Sequence, residues 1–385
     1  MNESGREREM NPQPEKAGLY VHFPFCRRKC PYCHFASVPL PDRGTAVWRD
    51  GLEREAALRA GEGLEFDTLY IGGGTPSLLA PADISGLLAL FGRRFRISLR
   101  EFTLEANPSS ETGPAVFAGW TRAGVTRLSV GVQAFDDRML EILGREYTAA
   151  AAESFLRRAR REGFRSIGLD LMVGVPGETP ASLERTLEAV DRTGPDHVSL
   201  YLLENVEGLP FEDVLKGSPV DEDRAVNAFE SAAARLGRLG FERYEISNFA
   251  RPGHACLHNL KYWRYEPFLG LGPSAASHVG SERWLNAAGV DEWAGALNKG
   301  ADPRVEILVL GPERNFREAL VSGLRLVRGV DLAGFRARFG VDLRARFAPE
   351  IAALERDGLI VLGPDALRIP EDKLLVSNRV MAAFV

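Results

Sequence analysis

Three thiols stand within eight residues as Cys26-x3-Cys30-x2-Cys33, and the fourth cysteine, Cys256, is far away in the chain. Thiolates at this spacing are metal ligands by chemistry, and three readings compete. A structural zinc site needs four ligands. The fourth would be distant Cys256, or His34, which follows Cys33 directly and would have to fold back onto the same ion. A [4Fe–4S] cluster held by three thiolates leaves one iron with an open position. Plain packing cysteines would draw Arg27, Arg28 and Lys29 into an apolar patch, where unpaired charges do not go. The cluster reading is preferred. No apolar signal segment opens the chain, so a reducing, cytoplasmic compartment and unpaired thiols are expected.

A ligand loop needs a rigid seat, and the sequence supplies one. Strand-like runs occur at Leu19–Phe23, Thr68–Ile71, Glu101–Glu105, Arg127–Val130, Ile167–Met172 and His197–Leu202. Amphipathic stretches lie between them, among them Ala46–Ala60, Ala82–Phe91, Ala149–Glu162 and Ala181–Thr193. Thr179-Pro180 is a helix start with proline in the first helical position. Such alternation predicts parallel strands with crossover helices, hence an α/β fold. Polar groups recur where the strands end: the three Cys, then Gly72-Gly73-Gly74-Thr75-Pro76, Glu105, Gln133, Asp170 and Glu204. In a parallel α/β barrel the C-terminal strand ends form the active face, so these six groups are expected around one mouth.

Beyond Pro303 the pattern changes. Arg314–Gly323, Leu332–Phe339 and Pro349–Asp357 read as helices, and Leu359–Leu362 with Ala366–Ile369 reads as a hairpin across Gly363-Pro364-Asp365. That is a small winged-helix-like domain. Its hairpin carries Arg368 as its one base, so a docking or lid role is expected rather than DNA binding. The expected division is a flexible tail 1–17, a core barrel 18–250, a connecting segment 251–302 and the C-terminal domain 303–385.

Composition narrows the function. The chain has 385 residues, 45% apolar and 26% charged, with a formal net charge of −5. This is ordinary globular material, long enough to bury a core without disulfides. The charge argues against broad nucleic-acid binding, and no run of about 18 apolar residues announces a transmembrane segment.

The loop Cys26, Cys30, Cys33, with Tyr32 before the last thiol, resembles the signature loop of the radical S-adenosylmethionine (SAM) superfamily. The resemblance implies a partial (β/α)6 barrel and a [4Fe–4S] cluster whose fourth iron binds the amino and carboxylate groups of SAM. An electron from the cluster then splits the sulfonium to a 5′-deoxyadenosyl radical. The stretches LYVHFPFC, IGGGTPS, FTLEANP, RLSVGVQAF, GRE and LDLMVGVPGET resemble the narrower family of oxygen-independent coproporphyrinogen III oxidase and its relatives. On that resemblance Tyr20, Tyr32, Gly73, Gly74, Thr75, Glu105, Gln133, Arg145 and Asp170 line the SAM site. Glu105 and Asp170 would suit ribose hydroxyls or the ammonium, and Arg145 the carboxylate.

Three features select within the family. The oxidase carries a fourth Cys two residues after the third, where this chain has Phe35. The oxidase also has a longer N-terminal arm, whereas 25 residues precede Cys26 here. The segment His258-Asn259-Leu260-Lys261-Tyr262-Trp263 matches an HNxxYW motif of the family's haem-chaperone branch. The resemblance therefore implies a haem chaperone that passes haem to haem-dependent respiratory proteins and takes an electron from a donor. His258 is the candidate axial ligand, since a neutral imidazole suits haem iron and aromatic neighbours can stack on a porphyrin. His254 and Cys256 are the runners-up, and the alternative is that His258 and Asn259 hydrogen-bond a loop against the barrel. The alternatives are the oxidase activity itself and, from another class, a zinc-stabilised binding module.

Overall fold

The computed structural model describes residues 16–41, 45–108, 113–204, 206–217 and 221–385. Six parallel strands appear in the expected places: β1 (Lys16–Phe23), β2 (Glu65–Gly73), β3 (Arg96–Ala106), β4 (Arg127–Gln133), β5 (Ser166–Val173) and β6 (His197–Leu202). They pair in chain order, each parallel to the next. The crossovers are α1 (Ala46–Arg59), α2 (Pro81–Arg94), α3 (Pro114–Arg122), α4 (Ala149–Arg161) and α5 (Pro180–Thr193), with α6 (Glu222–Arg238) following β6. The helix starts are built locally. The Thr148 and Thr179 side chains accept the Ala151 and Ser182 backbone N–H groups, Pro180 takes the first helical position, and Gly194 ends α5 in the left-handed region.

The sheet is wider than six strands. It continues through β7 (Glu242–Arg243), β8 (Asn248–Ala250), β9 (Phe268–Leu271), β10 (Ala276–Val279), β11 (Glu282–Asn286) and β12 (Arg304–Val309). The order is β12-β11-β10-β9-β1-β2-β3-β4-β5-β6-β8-β7, so the sheet stays open. β9 lies parallel to β1 as a seventh parallel strand, and the outer strands on both sides are antiparallel.

Two expected boundaries move. Lys16 and Ala17, assigned to the tail, already belong to β1, and residues 1–15 lie outside those described. β12 was expected beyond the domain boundary at 303, yet it pairs with β11 in the main sheet. The second hydrophobic core runs from Leu310 to Phe384 and takes in Tyr265 from the connecting stretch, so the C-terminal domain begins at about Leu310. It contains α9 (Pro312–Gly323), α10 (Leu332–Phe339), α11 (Ala348–Arg356) and a three-stranded sheet of β13 (Val330–Asp331), β14 (Val361–Leu362) and β15 (Ala366–Arg368). Two helices between these groups matter below: α7 (Leu257–Trp263) and α8 (Val290–Asn298).

The parallel strands alternate rather than run apolar throughout. Leu19, Val21, Leu69, Ile71, Leu104, Val130, Leu169 and Val198 join Trp48, Phe91, Trp120, Phe155 and Leu187 of the helices in one core. The intervening residues, Tyr20, Tyr70, Glu105, Ser129 and Asp170, turn to the opposite face, as the two-residue strand period requires. The apolar core therefore lies between sheet and helices, and the concave face is polar.

Candidate functional site

The thiol loop leaves β1 at its C-terminal end. It is closed at its base by the Phe25–Cys26 and Val38–Pro39 ladder, where Val38 N–H donates to the Pro24 carbonyl (2.8 Å) and Leu40 N–H to the Cys26 carbonyl (2.8 Å). Cys26 is buried, while Cys30 and Cys33 are partly exposed, and all four cysteines are free thiols. A turn places the Cys33 N–H on the Cys30 carbonyl at 3.1 Å. His22 ties the far side of the loop to β1: its Nε2 lies 2.8 Å from the Ala36 carbonyl and its Nδ1 3.0 Å from the Tyr20 hydroxyl. Burial holds this imidazole below its ordinary pKa, so it acts as a neutral strut.

The glycine run after β2 carries the loop. Gly74 N–H donates to the Phe23 carbonyl (2.7 Å) and Thr75 N–H to the Phe25 carbonyl (2.8 Å). A Cβ on Gly74 would stand 2.4 Å from the Phe25 carbonyl oxygen, and one on Gly73, at φ 113°, 2.6 Å from the His22 ring. Only glycine lets these two segments touch. The approach brings the Thr75 hydroxyl to 3.5 Å from Cys26 Sγ.

Arg145 reaches the loop from the other side. Its guanidinium donates to Cys30 Sγ (3.2 Å), to the Tyr32 hydroxyl (3.4 Å), to the Tyr147 hydroxyl (2.9 Å) and to the Gly131 carbonyl. Tyr147 in turn donates to the Gly131 and Val132 carbonyls, fixing the guanidinium against β4. β4 is bulged between Gly131 and Gln133, and Gln133 sits at φ 70°, a conformation that costs a non-glycine residue energy and persists where structure imposes it.

Glu105 and Asp170 face the same interior. The Glu105 carboxylate accepts from the Gly73 N–H and the Tyr70 hydroxyl, both at 2.9 Å. Desolvation, and then the nearby Asp170 charge, push it up to about 7. Asp170 accepts from the Ser129 hydroxyl at 3.3 Å, and burial holds it above the usual carboxylate range. Two carboxyls sharing a desolvated chamber suit a ligand that brings donors or positive charge. Glu204, named with the strand ends, is exposed beyond β6.

This donor set fits a three-thiolate cluster. Three thiols share one closed loop, a hydroxyl and a guanidinium are directed at two of the sulfurs, and a glycine cradle lies alongside. The zinc reading loses both fourth ligands. His34 is exposed with its ring 5.0 Å from that of Phe35, and Cys256 donates to Glu101 Oε1 at 3.4 Å, off the loop. Among the described residues, no three His, Cys, Asp or Glu side chains gather as around a single ion.

The HNLKYW segment is α7. The Glu101 carboxylate accepts the Leu257 and His258 N–H groups, each at 3.0 Å, so a negative charge caps the helix N-terminus. His258 is 1% exposed, with Nδ1 2.8 Å from Thr68 Oγ1 and Nε2 2.9 Å from the Tyr262 hydroxyl. Lys261 pairs with Asp67 (2.8 Å) and Glu266 (3.0 Å). In this arrangement neither imidazole nitrogen is free for iron; the ring pins α7 to β1 and β2 at Gly18 and Thr68 and packs 5.3 Å from the Tyr70 ring. Cys256 is engaged with Glu101, and the His254 carbonyl accepts from Arg127 at 3.0 Å, while the His254 ring Nδ1 is buried without a partner. Sequence reasoning passed over Tyr70, Ser129, Tyr147 and Glu101. The signal for the first two was the polar residue at every second strand position.

The residues 20–190 match the Radical SAM superfamily model and residues 310–372 the HemN C-terminal domain model. The chain is 34% identical to "Heme chaperone HemW" of Mycobacterium tuberculosis (strain ATCC 25618 / H37Rv), over 97% of this chain and 96% of that protein. It is 30% identical to "Heme chaperone HemW" of Bacillus subtilis (strain 168), over 95% and 98%. Among solved structures, coproporphyrinogen III oxidase (HemN) from Escherichia coli, a radical SAM enzyme, superposes with a TM-score of 0.85 at 23% identity, covering 96% of this chain and 90% of that one. That likeness is one of fold, and it includes the open α/β sheet and the mostly helical C-terminal domain. No helix among the described residues is long and apolar enough to cross a membrane. Thiol loop, glycine cradle, C-terminal domain and near full-length identity agree: the chain belongs to the HemW family of the radical SAM superfamily.

Proposed function

We propose that this chain is a haem chaperone that binds a [4Fe–4S] cluster through Cys26, Cys30 and Cys33, binds SAM beside it, and passes haem to respiratory proteins. The observation that carries the reading is the three-thiol loop joined to a relative-like HNLKYW segment, with Phe35 where the oxidase has a fourth thiol. The radical SAM domain implies both cofactors. When bound, the cluster supplies an electron at an iron with an open position.

The chain's own residues would do the rest. Thr75 and Arg145 stabilise charge on Cys26 and Cys30. Gly73 and Gly74 let the backbone come close to a ligand, and Glu105 and Asp170 accept hydrogen bonds from it. Tyr20, Tyr32 and Gln133 line the remaining walls. An electron donor is required in the cell, and the cytoplasm is the compartment proposed, in keeping with four free thiols.

The test is anaerobic reconstitution of the full chain. Iron and sulfide, SAM binding and hemin binding are expected, without conversion of coproporphyrinogen III. Cys26→Ala should lose the iron and keep the fold. Turnover of coproporphyrinogen without haem binding would overturn the chaperone reading, and one zinc without iron or sulfide would overturn both.

A further inference from the structure

A cleft of about 780 Å³ opens between the base of the barrel and the C-terminal domain, a size ordinary for a small-molecule site. One wall comes from α7 and the β7–β8 region, and the other from the stretch between α9 and α10. Its apolar surfaces include Leu260, Trp263, Phe335 and Phe339.

The charge in this cleft runs against that of the chain. Five arginines line it, Arg243, Arg251, Arg264, Arg328 and Arg338, with two carboxylates, Glu242 and Asp331, while the whole chain carries −5. Asp331 is already engaged, accepting the Gly334 N–H at 2.9 Å as the cap of α10. Arg243 donates to the Ile246 and Glu371 carbonyls and stacks on Phe249, and Arg251 donates to the Pro195 and Leu239 carbonyls and stacks on Phe241; the other three arginines lack matching acids. Arg338 donates to the Arg264 and Tyr265 carbonyls, and Arg264 has Glu266 only at 4.0 Å. Arg328 has no ion pair or side-chain hydrogen bond among the described residues and is exposed. Behind this rim, the Trp263 indole N–H and Arg325 Nε are buried without partners, and the Arg325 guanidinium lies 4.5 Å over the indole ring. Unpaired buried donors are uncommon and point to a missing acceptor.

Aromatic walls with an arginine rim select a flat, largely apolar molecule that carries carboxylates, since guanidinium forks match carboxylate geometry. No His, Cys or Met lines the cleft, and the Tyr244 hydroxyl is 2.9 Å from His197 Nε2. We infer that this cleft is the cargo site, holding haem by its ring face and two propionates and leaving the iron without a protein side chain. The inference rests on the haem-chaperone reading and locates its cargo at the end of the barrel opposite the thiol loop. Cargo gripped by its carboxylates keeps its iron available to an acceptor's own ligand, which suits a carrier.

The experiment uses the full-length, cluster-loaded protein, titrated separately with hemin and with iron-free protoporphyrin IX, followed by porphyrin absorbance and tryptophan quenching. Both are expected to bind with affinities within about threefold of each other. Arg264→Glu/Arg328→Glu, which reverses two exposed charges, should weaken both at least tenfold with iron content and Tm unchanged. Wild-type affinity in that variant, or binding of hemin without the iron-free ring, overturns the cleft while leaving the chaperone reading intact. A wild-type protein that binds neither porphyrin overturns both.

Discussion

His258→Ala separates a structural pin from an iron ligand. The ring fills space against Gly18, where a Cβ would stand 2.9 Å from His258 Cε1, and it satisfies Thr68 Oγ1 and the Tyr262 hydroxyl. Removing it strands two buried hydroxyls, each costing about 1–3 kcal/mol, and leaves a cavity, so a loss of roughly 3–5 kcal/mol is expected. The loss depends on pH. Burial, and then the Lys261 charge, hold the native imidazole down to about 3, whereas an unfolded histidine takes up its proton near pH 6.5. The unfolded state therefore binds the extra proton between these values. The stabilisation is complete above pH 6.5 and falls away as the pH drops, by about 2 kcal/mol at pH 5. Urea unfolding of both proteins at pH 7 and pH 5 measures it: the gap between wild type and variant should narrow by that amount. Hemin affinity of the folded variant should stay within a few-fold of wild type. A variant as stable as wild type that has lost its hemin absorbance would refute the reasoning.

Three further perturbations follow from the same geometry. Gly74→Ala puts a methyl group 2.4 Å from the Phe25 carbonyl oxygen, so the protein should fold but retain substoichiometric iron after reconstitution, measured as iron per chain. Glu105 titrates near 7, so SAM affinity measured by equilibrium dialysis should fall as the pH drops through 7. Glu105→Gln should bind roughly 10- to 100-fold more weakly, the worth of a charge-assisted hydrogen bond, and should show no inflection. Glu55, fully buried, accepts from the Gly272 N–H (2.8 Å), Asn286 Nδ2 (2.6 Å) and Trp293 Nε1 (3.1 Å), joining α1 to α8 and the β9–β11 side of the sheet. Glu55→Gln sets an amide N–H against one of these donors and should cost about 1–3 kcal/mol in chemical denaturation, with the cluster unaffected.

The six parallel strands and their crossovers were legible because apolar residues mark them and caps such as Thr179-Pro180 punctuate the helices. The thiol loop and Gly73–Thr75 were legible because ligand types and glycine freedom are properties of single residues. The seventh strand was not, since Phe268–Leu271 becomes parallel strand only by lying beside β1, some 250 residues earlier. Arg304–Val309 went to the wrong domain for the same reason: its pairing with β11 is a contact across the chain. His258 looked like a ligand because an imidazole among aromatics has the chemistry for it. What fixes its surroundings, Glu101 on the helix N-terminus and Thr68 on the ring, lies about 160 and 190 residues away.

The placement of apolar packing outside the strands, with polar groups on their concave face, separates folding from cofactor chemistry. The molecule's cohesion is supplied by its rind, so the lumen can be emptied, oxidised or refilled without collapse of the shell. A chain stripped of iron by air should thus remain a folded vessel awaiting repair rather than a substrate for proteolysis.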